Sequence, residues 1–72
     1  MKRRIKGKVV YQNIEGGFWS IISEEGEELR PQYMPVQLRE EDKQIECVIF
    51  PTNAEFSKIM WGKEIIIYIF VV

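Results

Sequence analysis

The sequence predicts an all-β domain, a small five-stranded OB-fold-like barrel with a short helical or turn segment between strands 3 and 4; the alternative is an SH3-like barrel. Three observations lead there. Apolar and polar residues alternate with period two in successive short stretches, the spacing of half-buried strands. Glycine and proline signals separate those stretches at hairpin distances. The one stretch that loses the alternation falls between the third and fourth strands, where an OB fold places its helix. With 72 residues the chain holds one domain, residues 1–72.

The elements follow in order. Residues 4 to 13 put Ile5, Gly7, Val9 and Tyr11 on one face and Lys6, Lys8, Val10 and Gln12 on the other. Gly7 on the inward set has no side chain to fill space, which predicts a bend or the close approach of another backbone. Ile14-Glu15-Gly16-Gly17 reads as a hairpin loop whose glycines supply positive φ, and Phe18 to Ser23 is the returning strand. Glu24-Glu25-Gly26-Glu27 makes a second hairpin. The third strand, about residues 28 to 33, contains Pro31, whose missing N–H restricts it to an edge or to the point where pairing stops. Residues 35 to 43 suit one or two helical turns or a turn-rich crossing. Gln44 to Phe50 is the fourth strand, broken by Pro51-Thr52-Asn53. Residues 54 to 61 fit either a two-turn helix capped by Asn53 or an extended segment, and closure of an edge favours the extended form. Glu64 to Val72 is the last strand.

Composition removes most chemistry. The chain is 46 % hydrophobic and 29 % charged, within the globular range, with a formal net charge of −1. It has one cysteine and no histidine, so neither an intrachain disulfide nor a Cys/His metal site can form. The same absence removes Ser-His and Cys-His nucleophiles and an imidazole base. A non-enzymatic protein without cofactor or metal is expected. Cys47 lies in period with Ile45 and Ile49, which predicts a small buried residue rather than a nucleophile. Gly16-Gly17 leads into a strand and not a helix, unlike a phosphate loop. Met1-Lys2-Arg3-Arg4 has the charge of a signal-peptide start, yet Ile5-Lys6-Gly7-Lys8 is no apolar core, so a cytoplasmic, reducing location is expected. The apolar run from Ile65 to Val72 is far shorter than the roughly 18 residues that span a bilayer.

Gly16-Gly17-Phe18-Trp19-Ser20-Ile21, then Gly26, Pro31, Met34-Pro35, a strand ending in Phe50, and Met60-Trp61-Gly62 together resemble a family of small, functionally uncharacterised prokaryotic proteins with the pattern GGF(Y/W)GI…P…LP…MWG. The resemblance covers roughly residues 7 to 69. It implies a compact OB-like barrel and no known activity. The chain departs from the pattern at Ser20, where the family favours Gly, and between Thr52 and Ser57.

Two features bear on function. A strand turns alternate side chains to opposite faces, so about half of the C-terminal run, Ile66, Tyr68, Phe70 and Val72, should face outward as a surface for a second copy or a protein partner. Covering four such side chains gains roughly 6 to 12 kcal/mol at about 1.5 to 3 each. Association costs about 4 to 15 kcal/mol, so added strand pairing is needed for a convincing interface. The run has no gatekeeping charge after Glu64. The second feature is the basic N-terminus: Lys2, Arg3, Arg4, Lys6 and Lys8 are five of ten basic residues, and with Trp19, Tyr33 and Trp61 they form the alternative reading, a single-stranded nucleic-acid binder. Against that reading stands the acidic balance of the chain, with pI 5.4. A small or acidic ligand in the barrel mouth is a third reading.

Overall fold

In the computed structural model, which describes residues 2–52 and 61–71, β1 (Arg3–Gln12), β2 (Phe18–Ser23), β3 (Glu28–Pro31), β4 (Gln44–Pro51) and β5 (Lys63–Val71) close into a barrel in the order β1-β2-β3-β5-β4. Every neighbour pair is antiparallel except β3–β5, which is parallel. The crossing between β3 and β4 carries a 3-10 turn over Val36–Leu38. This is the OB-like barrel that the order of elements predicts, with the predicted helix reduced to a single turn.

β1 joins the two sides of the barrel because it is long enough to serve both. Its first part, Arg3 to Lys8, pairs with β4, and its second part, Gly7 to Gln12, pairs with β2. Gly7 lies in the overlap. A Cβ there would run into the Ile22 carbonyl oxygen and lie 2.9 Å from the Ser23 Cα, so only glycine lets the two backbones meet as the sequence suggests. The inward set Ile5, Gly7 and Val9 is buried, whereas Tyr11, expected beside them, is exposed. The reason is register: the β1–β4 ladder ends at Lys8↔Gln44, so Tyr11 stands beyond it and packs its ring edge on Trp19 at 5.1 Å.

Both hairpins use glycine as predicted, with Gly16, Gly17 and Gly26 at positive φ. β3 ends at Pro31, paired with Ile65, and Pro31 is the last residue of the β3–β5 ladder. The core gathers Ile5, Val9, Ile21, Leu29, Met34, Leu38, Ile45, Cys47, Ile49 and Ile65, with Trp19, Ile67 and Phe70 packed against it. Cys47 is therefore the small core residue that its period with Ile45 and Ile49 indicates. Ser20 is also fully buried, and its hydroxyl donates to the Val10 carbonyl at 2.7 Å while accepting from Gln12 Nε2 at 3.3 Å. The alternatives for residues 54 to 61 lie outside the described residues except at Trp61.

Candidate functional site

The outer face of β4 and β5 is the candidate site, and a single extra residue in β5 shapes it. Val48 pairs with Ile69, but Ile49 pairs with Ile67, so Tyr68 is bulged out of the ladder. One inserted residue reverses the side-chain parity beyond it. Up to the bulge Ile65 and Ile67 turn inward; after it Phe70, opposite Cys47, is the inward residue. Phe70 thus packs against the core instead of facing outward with Ile66 and Tyr68 as strict alternation predicts. Ile69 and Val71 take its place outside. Val72 lies outside the described residues.

The outward set is exposed: Ile66 44 %, Tyr68 60 %, Ile69 52 % and Val71 62 %. Half-buried Val48 and Phe50 of β4 adjoin it, and the Phe50 ring meets Tyr68 edge-on at 5.4 Å. Among the described residues, the same stretch has one edge without a strand partner. β3 pairs with β5 only from Lys63 to Ile65, extended by the Gln32 amide donating to the Ile65 carbonyl at 2.8 Å. Beyond that, among the described residues, residues 66–71 are laddered with β4 alone. Exposed apolar side chains and an edge with no strand partner among the described residues therefore coincide on the last six described residues of β5.

The start of β5 is built differently. Arg30 projects from the outward side of β3, yet it is only 7 % exposed and bonds to the chain at Trp61. Its Nε donates to the Trp61 carbonyl at 3.2 Å and its Nη1 to Glu64 Oε2 at 3.4 Å. The other Glu64 oxygen accepts from Gln32 Nε2 at 2.8 Å and from the Thr52 hydroxyl at 3.0 Å. These hydrogen bonds, Gln32 first and Thr52 next, hold the Glu64 carboxyl below its ordinary range. The cluster locks the parallel closure of the barrel. Sequence reasoning missed it, since a charged residue in an alternating strand reads as solvated; the only hint is one charge of each sign beside the two segments that must meet.

Three of the five basic residues of the N-terminus are ion-paired. Arg3 pairs with Glu27 through both guanidinium arms and lies 4.0 Å from Glu25. Arg4 pairs with Glu46 at 3.2 Å and Lys8 with Asp42 at 3.7 Å. The basic strand and the acidic flank, separate in sequence, lie against each other in the fold. The aromatic members of the nucleic-acid reading each have a partner of their own. Trp19 packs on the core, Trp61 lies against Phe18 at 5.4 Å, and Tyr33, 63 % exposed, has the Arg39 guanidinium 5.3 Å above its ring. Lys2 and Lys6 are exposed at the start and the middle of this strand region.

Burial pushes the Cys47 thiol up to about 11, with the neighbouring Glu46 carboxylate adding to the effect, so it is a poor thiolate. Among the described residues no group of three His, Cys, Asp or Glu side chains could hold a metal ion, and no helix is long and apolar enough to cross a membrane. No family model, curated protein or solved structure matches the chain.

Proposed function

We propose that the protein is an interaction module that self-associates through residues 66–71 of β5, two copies pairing antiparallel at their open edges. The observation that carries this reading is the coincidence of four outward apolar side chains with a strand edge that no described residue pairs. A second copy is the favoured occupant for two reasons. Residues 66–71 carry no charge, so two copies meet without repulsion. An isologous contact also counts the surface twice. Side chains already half buried recover about half of the usual 1.5 to 3 kcal/mol, so four per copy yield roughly 6 to 12 kcal/mol across the pair. Association consumes about 4 to 15 kcal/mol, and ladder hydrogen bonds make up the difference, so a weak dimer is expected.

Sedimentation velocity over a range from low to high micromolar concentration tests this. The expected result is a reversible monomer–dimer shift that Ile69→Glu abolishes. Val36→Glu, a charge at an equally exposed valine on the 3-10 turn, leaves it intact. Because Ile69 is outward, its variant should keep monomer stability within about 0.5 kcal/mol. A wild-type chain that stays strictly monomeric at high micromolar concentration overturns the reading.

A further inference from the structure

The direction of each peptide group along β5 follows from bonds elsewhere in the sheet. The Lys6 carbonyl accepts from the Glu24 amide on the β2 side of β1, so by alternation the peptide groups of Arg3, Ile5 and Gly7 turn to β4. Their ladder partners Ile49, Cys47 and Ile45 turn to β1, which leaves Phe50, Val48 and Glu46 turned to β5. These three are matched with Ile66, Ile69 and Val71, whose peptide groups therefore point back at β4. The groups of Ile67 and Phe70 face the opposite edge. Ile65 agrees with this direction, since its carbonyl accepts from the Gln32 amide at 2.8 Å on the β3 side. Among the described residues no strand lies along that side beyond Ile65. In a regular strand the residues facing one edge are two apart, but the bulge at Tyr68 sets Ile67 and Phe70 three apart.

We propose that the bulge makes this edge selective for a second copy of the chain in one register, with Ile67 of each copy opposite Phe70 of the other. The proposal rests on self-association at residues 66–71 and adds the register and the exclusion of other strands. A regular strand presents peptide groups at every second residue, so it meets Ile67 or Phe70 but not both. A second copy running antiparallel presents the same three-residue spacing and meets both, forming two ladder pairs where a regular strand forms one. Bulges on edge strands ordinarily discourage pairing with stray strands; here the same irregularity rejects them and admits its own copy. The side chains of Ile67 and Phe70 pack against the core, which holds their peptide groups in place in the single chain. Two antiparallel copies in one sheet are related by a two-fold axis normal to it, so both outer faces lie on the same side. Tyr68 of each copy then lies opposite Ile69 of the other, and an aromatic and β-branched cross-strand pair forms twice at the centre.

Deleting Tyr68 removes the bulge. Ile69, Phe70 and Val71 keep their β4 partners, while Ile67 and Phe70 come to the regular two-residue spacing. The wild-type chain and the deleted chain are mixed at high micromolar concentration and examined by native mass spectrometry, where the missing tyrosine separates the three possible dimers by mass. Each chain should pair with its own kind, the mixed dimer falling about tenfold below its statistical share for the loss of one ladder pair. In the wild-type dimer, isotope-filtered NMR should place the Ile67 amide of one copy against the Phe70 amide of the other, and this contact decides alone if the deleted chain does not fold. A statistical share of mixed dimer, or amide contacts in another register, overturns the proposal and leaves self-association standing. A wild-type chain that forms no dimer at this concentration overturns both.

Discussion

The two halves of β5 have the same apolar character and opposite surroundings. From Lys63 to Ile65 the strand lies between β3 and β4, Ile65 is 1 % exposed, and Glu64 is tied to Gln32, Thr52 and Arg30. From Ile66 to Val71 it has β4 alone among the described residues, and four of its side chains are open to solvent. The difference comes from β3, which ends at a proline after only four residues. A strand's burial is set by the length of its neighbours as much as by its own residues. The first half closes the barrel; the second is left available to another strand.

The largest effect should come from breaking the closed half. Arg30→Ala leaves the Glu64 carboxylate facing a lost partner and uncovers the Trp61 carbonyl, and should cost about 3 kcal/mol in urea unfolding. A loss no greater than that of an outward β5 variant would erase the contrast between the halves. Acid sharpens the same contrast. The Glu64 carboxyl in the folded chain titrates below its ordinary 4.5, so its stabilisation is complete above that value and is lost as pH falls through the lower folded value. Glu64→Gln should therefore be less stable than the wild type at neutral pH, with the gap narrowing in acid. A gap that stays constant down to pH values where carboxylates are protonated would show that the charge of Glu64 contributes nothing to closure.

Local patterning made much of this fold legible. Alternation located β1, β2, β4 and β5, the glycine positions marked both hairpins, and Pro31 marked the end of β3. What escaped depends on contacts between distant segments. Nothing near Tyr68 announces a bulge, since a β-branched apolar run fits either register; only the pairing with β4 shows that Phe70 turns inward and Ile69 outward. Tyr11 fell on the expected face of β1, but the end of the β4 ladder leaves it outside the barrel. Arg30 is buried and bonds to a stretch of chain about thirty residues away, and no local pattern carries that information. The charge asymmetry of the sequence is partly offset in space, because Arg3, Arg4 and Lys8 meet Glu27, Glu46 and Asp42 across strands. Such exposed pairs contribute little stability individually, about 0 to 1 kcal/mol.

Amide hydrogen exchange along β5 at low and high protein concentration tests self-association at the open edge most directly. In the dilute chain, amides of residues 66–71 that face β4 should be protected and those that face the open edge should exchange freely. At high concentration the second set should become protected as well, while Lys63 to Ile65, already paired on both sides, should not change. Uniform protection of residues 66–71 in the dilute chain, or an alternating pattern indifferent to concentration, would contradict the account.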